Sequence, residues 1–432
     1  MQQDSVPSSL NTDGYGDPRR SFQSVGDTFS GSLSNPSELY ASHRINSPVS
    51  TGDIAITLGI PSRASAKDGS RTVFSLFGYR DIQKVLRDAD TFASGLLLEG
   101  LGEFLGRIIT GLDGDEHKRV RGLLQPAFMP AVLEGWKTRI IRPVIDEMLD
   151  QIEPRGRADL LQDFNLHFPV RIIYAIMGFP SDPEAMDRFS SWALAILAGP
   201  QIDPAKAAES RRAAFQAAGD LYDHVLPIVT ARRAEGITGD DMMATLLRAE
   251  HEGQSLSDAE VASFVRMLLP AAAETTTRSF SNLLALLLQR PALLAEVRAD
   301  RTLIPGAINE VMRYEPPVGF LARQATRDVE IGGVAIPAGA ALTLVVSSGN
   351  RDETVFEDAE VFDIRRKPAP PALGFGFGVH MCIGMLVAKA QMEIALNALL
   401  DRFPTLELDG PPPEIVGVHF RSPAALPVRW SV

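Results

Sequence analysis

Apolar and polar positions alternate in TVFSLFGY (72–79), as a strand with one buried face requires, and RDIQKVLRDADTF (80–92) then takes up the spacing of a short helix. From residue 131 to 290 the apolar positions recur mainly at helical intervals, punctuated by Pro180, Pro183, Gly199, Pro200 and Pro204. A helix start stands at Ser257. In Ser257-Asp258-Ala259-Glu260 the serine is placed to cap the helix and the glutamate to bond back to it. Apolar residues then run to Leu288, and Pro291 follows. The pattern predicts a helix over 258–289, about 48 Å long, that crosses most of the molecule. Further on, DVEIGGVAIPAG (328–339) predicts a hairpin turning at Gly332-Gly333, ALTLVVSS (341–348) a further strand, and MLVAKAQMEIALNALLDRF (385–403) the last helix. Residues 94–110, SGLLLEGLGEFLGRIIT, are apolar yet broken by glycines, which fits a loop lining an apolar cavity or a buried connector. No internal repeat is present. The sum is a mainly α chain with a minor β-sheet.

Composition narrows the classes. With 432 residues and 45% apolar positions the chain can bury a sizeable single core. A net charge of -12 makes it a poor ligand for nucleic acid, which needs Lys and Arg against phosphate. One cysteine excludes an intramolecular disulfide and any multi-cysteine metal or iron–sulfur site. No apolar run reaches the roughly 18 residues of a membrane span. The N-terminus, MQQDSVPSSLNTDGYGDPRR, is polar and lacks the apolar centre of a signal peptide. The expectation is a cytoplasmic monomer without a membrane anchor, with a flexible segment over 1–35 and one domain over 36–432.

The lone Cys382 ends a glycine-rich stretch, Phe375-Gly376-Phe377-Gly378-Val379-His380-Met381-Cys382-Ile383-Gly384, and precedes a helix. Glycines let the backbone approach a flat ligand closely, and the free N–H groups at a helix start favour a thiolate. Gly374, Gly376 and Gly378 do not form a dinucleotide loop, because no strand precedes them and the spacing is incomplete. The stretch resembles the cysteine-ligand loop of the cytochrome P450 family, Phe-x-x-Gly-x-His/Arg-x-Cys-x-Gly, at Phe375, Gly378, His380, Cys382 and Gly384.

Three further segments resemble that family, in its order, and the resemblance spans about 72 to 430. Glu310-Val311-Met312-Arg313, followed by Pro316-Pro317, is similar to its Glu-x-x-Arg helix. Together with Asn350-Arg351-Asp352 and Phe362-Asp363-Ile364-Arg365-Arg366 this implies a structural role for Glu310 and Arg313; Ala359 stands where the family has Pro. Ala271-Ala272-Ala273-Glu274-Thr275-Thr276-Thr277, within the long helix and after Pro270, is similar to the family's acid–alcohol segment, with Ala272 in place of the usual Gly. The resemblance implies that Thr275 hydrogen-bonds dioxygen and that Glu274 helps to deliver protons. Asp113-Gly114-Asp115-Glu116-His117-Lys118-Arg119-Val120-Arg121 is similar to the family's propionate-binding helix. His117 and Arg121, with Arg323 and His380, are then ligands of haem propionates.

The resemblance implies a single-domain P450 fold with the long helix over a haem b held by Cys382. A thiolate ligand pushes electron density toward bound oxygen. The activity implied is insertion of one atom of O2 into an apolar small molecule. Electrons would come from NAD(P)H through a ferredoxin reductase and a ferredoxin, with Lys118, Arg119 and Lys389 as a docking patch. Leu97, Leu98, Leu101, Phe104, Ala193, Ile196, Leu197, Met267, Ala271, Ala272, Val318, Phe320 and Phe420 are candidates for the substrate pocket. The alternatives are a haem-binding sensor or electron carrier, which needs no acid–alcohol pair, and a peroxide-driven enzyme, in which that pair tends to be lost. Here Glu274-Thr275 is intact.

Overall fold

The structure is a computed structural model that describes residues 18–66, 69–180, 182–200 and 204–432. It is mainly helical, and the central element is the helix Asp258–Leu288. Its start is the capping box expected from the sequence. Glu260 N–H donates to Ser257 Oγ (3.2 Å) and Ser257 N–H donates to Glu260 Oε2 (2.9 Å). Ser257→Ala should therefore cost about 1 kcal/mol, read as a lower urea midpoint at unchanged slope. An unmoved midpoint would show that the cap carries no weight.

From Leu283 to Leu288 every side chain of this helix is buried, so it is a core element surrounded on all sides. Helices Phe168–Ile176, Pro183–Leu197, Pro204–Ala234 and Met385–Arg402 pack around it in one large apolar cluster. No single helix among the described residues is long and apolar enough to cross a membrane.

Five short strands form a mixed sheet in the order Val49–Thr51, Val73–Leu76, Ala341–Val345, Phe320–Ala325, Phe92–Ala93. Val73–Leu76 and Ala341–Val345 run parallel, with Ala341 opposite Val73; the other pairings are antiparallel. The expected hairpin forms between Val329–Ile331 and Val334–Ile336. Gly332 and Gly333 both adopt positive φ (57° and 78°), which a two-residue hairpin turn of this type demands.

Three expectations are corrected. The helix expected over 80–92 is Tyr79–Arg87, because Asp88 Oδ1 accepts the Thr91 N–H (3.0 Å) and Phe92–Ala93 leaves to pair with Gln324 and Ala325. Residues 94–110 carry two one-turn helices, Leu96–Glu99 and Gly102–Leu105. The flexible segment expected over 1–35 is ordered from residue 18. Pro18–Ser30 is a helix whose Phe22, Val25 and Phe29 share one buried face. The polar composition hid three apolar residues spaced for that face. The ordered unit thus begins at residue 18 and not at 36, and residues 1–17 lie outside the described residues.

Candidate active site

The cysteine stretch folds as a tight loop stapled by its own backbone. Cys382 N–H donates to the Phe375 carbonyl (2.9 Å) and Gly376 N–H to that of Leu373 (2.8 Å). Gly378 has φ 72°, and a Cβ there would collide with the Leu86 carbonyl oxygen, so only glycine fits. Gly384 is the N-cap of the helix Met385–Arg402. Burial pushes the Cys382 thiol up. The N–H groups of Gly384 and Met385, directed at the sulfur, and the Arg121 guanidinium pull the other way and favour the thiolate. Cys382 nevertheless keeps free surface, so its sulfur faces a cleft inside the fold.

A basic cluster adjoins this loop. His117 and Arg121 lie on the helix Gly114–Leu124, and Arg121 Nη1 donates to the Met381 carbonyl (2.9 Å), tying helix to loop. The His117 and His380 rings stand 4.2 Å apart. His380 Nε2 meets Asp113 Oδ1 at 3.2 Å, and Asp113 Oδ2 accepts the Ser94 N–H (2.7 Å). Burial acts to raise the Asp113 pKa, but these hydrogen bonds outweigh it and leave it lowered. His117 is pushed down to about 4 by burial, then by the neighbouring His380 and Arg121, so it is a neutral imidazole. Arg323, 4% exposed, donates among the described residues only to its neighbour's carbonyl, that of Ala322 (2.8 Å), and burial lowers it to about 10.

On the central helix Ala271, Ala272 and Thr275 retain surface, whereas Ala273, Glu274 and Thr276 are buried. That is one helical face turned to a cleft. Thr275 Oγ1 donates to the Ala271 carbonyl (2.7 Å). Glu274 points elsewhere. Its Oε1 accepts Arg278 Nε (2.6 Å), and Arg278 also reaches Ser422 Oγ (2.8 Å) and lies 4.2 Å over the Phe22 ring. Burial raises the Glu274 pKa against the pull of Arg278. Sequence reading missed Arg278, although its i+4 spacing from Glu274 was visible; it also quoted Asp113 without a role.

The pocket candidates divide. Leu97, Leu98, Leu101, Ala271, Ala272 and Val318 keep surface. Phe104, Leu197, Met267, Phe320 and Phe420 are buried with only a few per cent showing. Ala193 and Ile196 show none: both sit wholly inside the helical core cluster, which corrects their assignment to the pocket wall. Of the docking patch, Lys118 is exposed, Arg119 is paired with Glu260 (2.6 Å), and Lys389 Nζ donates to Asn309 Oδ1 (2.7 Å).

Glu310 and Arg313 are buried and paired with each other (2.7 Å). Phe375 packs its half-buried ring under Lys389 (5.5 Å).

The donor set around Cys382 matches what a haem needs. His117 Nε2 is buried with no partner among the described residues, and Arg323 has cationic donors with no carboxylate on them. These groups, with Arg121 and His380, suit the two propionates, and Cys382 supplies the soft anionic ligand that iron takes. The residues fit the group.

Comparison with known proteins agrees. The cytochrome P450 family model matches residues 64–420. The cyclomarin C epoxidase CymV of Salinispora arenicola (strain CNS-205) is 35% identical over 346 residues, 79% of this chain and 86% of its own length. The C-19 steroid 1alpha-hydroxylase of Sorangium cellulosum (strain So ce56) is 33% identical over 365 residues, 82% and 89%. The crystal structure of CYP109E1 from Bacillus megaterium in complex with testosterone superposes with a TM-score of 0.78 at 27% identity, covering 92% of this chain and 100% of that one. A family match over this length, enclosing a site whose donors fit a haem thiolate, identifies the chain as a member of the cytochrome P450 family, a haem- and O2-dependent monooxygenase.

Proposed function

We propose that this monooxygenase hydroxylates an apolar small molecule in the cytoplasm, as a monomer, with electrons from NAD(P)H relayed by a ferredoxin reductase and a ferredoxin. Bound haem, held by Cys382, supplies the activation of O2 that leaves one oxygen atom in the substrate and the other in water. His117, Arg121, Arg323 and His380 hold its propionates, with Phe375 and Gly384 shaping the cysteine side. Leu97, Leu98, Leu101, Ala271, Ala272 and Val318 keep water from the cleft. Lys118, the freely exposed cation of the patch, meets the acidic ferredoxin.

One observation carries this reading: Thr275 turns its side chain to the cleft, next to a fully buried acid. At rest the Thr275 hydroxyl donates a hydrogen bond to the Ala271 carbonyl. Its oxygen lone pairs stay free to accept, and a rotation turns the O–H into the cleft. Glu274 is locked on Arg278, so it moves a proton to Thr275 only after that ion pair opens. Residue 272 carries a methyl that narrows the groove beside Thr275.

The test is Thr275→Ala, reduced through a surrogate ferredoxin and its reductase. NADH consumption should persist while product per NADH falls by about tenfold or more and hydrogen peroxide appears. An unchanged product yield would remove Thr275 from proton delivery and favour a peroxide-driven reaction, whereas NADH consumption without product in either protein would favour a sensor or a carrier.

A further inference from the structure

Beside the cleft lies a small cavity between the helix Pro18–Ser30, the turn after Ile54–Thr57 and the strands Phe320–Ala325 and Ala341–Val345. Phe29, Ile60, Phe320 and Ala322 give it apolar walls, and Arg63 and His419 give it polar ones. Both polar side chains donate, and neither has an acceptor among the described residues. The Arg63 guanidinium makes no hydrogen bond or ion pair among the described residues, and burial alone pushes it down to about 10. The nearby Asp53 carboxylate is already committed. It accepts from Ala55 N–H and from the hydroxyls of Ser62, Ser65 and Thr343.

His419 is 2% exposed, and its Nδ1 accepts the Phe320 N–H (3.2 Å). Burial, with Arg63 and Arg278 close by, holds this imidazole well below its ordinary range, so it is neutral. With Nδ1 accepting, the ring proton is on Nε2, and Nε2 is buried with no partner among the described residues. Arg63 is half-buried and His419 fully so, and a cation drawn partly out of water beside an unpartnered N–H favours an anion that satisfies both. A water molecule gives an acceptor but no charge. A carboxylate gives both: two oxygens for the planar guanidinium fork and a lone pair for the imidazole N–H.

The cavity also adjoins the apolar wall of the cleft. The His419 ring stacks on Phe320 (5.7 Å) and meets Phe420 edge-on (4.5 Å). Phe320 lies on the same strand as Arg323, one of the groups that fit the haem propionates.

We propose that Arg63 and His419 form an anion subsite that anchors the carboxylate of an otherwise apolar substrate. This rests on the monooxygenase reading and narrows its substrate to amphipathic acids. The anchor holds one end of the chain-like or polycyclic body, and so limits which carbons reach the iron side of the cleft.

The experiment titrates the holoenzyme with dodecanoate and with methyl dodecanoate, following the ferric spin-state shift and the melting temperature. Arg63 has no hydrogen-bond or ion-pair partner among the described residues, so Arg63→Gln orphans none of their groups; an unaltered carbon monoxide difference spectrum verifies its fold. The wild type should bind the acid about tenfold or more tighter than the ester. Arg63→Gln should bind the two alike, and Arg63→Lys should keep part of the preference. Equal affinities in the wild type, or a preference that survives in Arg63→Gln, overturn the subsite. If neither compound shifts the spin state, neither reaches the iron side of the cleft, and the hydroxylation reading is left to its own Thr275→Ala test. The subsite then stands or falls on whether dodecanoate raises the melting temperature of the wild type more than that of Arg63→Gln.

Discussion

Cys382→Ala is expected to abolish the strongly red-shifted Soret band of the reduced carbon monoxide complex and to take substrate oxidation below detection. Cys382 is the only cysteine in the chain, so no second thiolate can substitute for it. Its fold-supporting contacts are made by the backbone: Cys382 N–H to the Phe375 carbonyl, and Met385 N–H to the Cys382 carbonyl (3.4 Å). Alanine keeps both, so the loop and the helix behind it should form unchanged. What vanishes is the sulfur toward which the Gly384 and Met385 amides are directed. Haem held only by its propionates would keep ordinary absorbance without the thiolate signature. A red-shifted band that persists in Cys382→Ala would mean that the ligand has been misassigned, and the proposed mechanism would go with it.

The second large effect is on stability. Arg313→Leu should cost about 3–5 kcal/mol, a large share of the roughly 5–15 kcal/mol that holds a typical protein folded. Arg313 is 2% exposed and every one of its five N–H donors is used. Nε and Nη2 fork onto Glu310 (2.9 and 2.7 Å), and the others reach the carbonyls of Asn350 (2.9 Å), Ala359 (2.8 Å) and Val361 (3.0 Å). Leucine would take both guanidinium contacts from the Glu310 carboxylate, leaving it the Asp363 N–H (2.9 Å) and Arg366 (3.2 Å), and would strip the Arg313 donors from the carbonyls of Asn350, Ala359 and Val361, of which Val361 keeps Arg366 Nη2 (3.2 Å). The expected readout is a sharply lower urea midpoint and loss of haem on purification. Arg313→Leu with a wild-type midpoint would show that the pair is dispensable. These bonds also explain why Ala359 can replace proline. Arg313 takes the carbonyl of residue 359, which any residue provides.

Much of the framework was legible because it depends on residues close in sequence. The capping box at Ser257 and the paired glycines at 332 and 333 are local signals, and both formed as read. The Cys382 loop and the Glu310/Arg313 pair are also short-range motifs. Periodicity failed where a tertiary partner decided the outcome. The helix expected to reach residue 92 stopped at Arg87, because the next strand was claimed by the sheet. Residues 18–30 read as polar and loose, yet Phe22, Val25 and Phe29 fold onto a surface made by distant segments.

By itself, then, the sequence determined the mainly helical class, the long central helix and the family, since each lies in a contiguous run of residue types with fixed spacing, and it singled out Cys382 as the thiolate ligand proposed here. Only the tertiary structure decided that Glu274 is sealed by Arg278 under the N-terminal helix, that Ala193 and Ile196 are core, and that Arg63 and His419 share a cavity. The physical reason is that burial and the pairing of charges depend on which distant segments meet, and no local pattern of residues encodes that meeting.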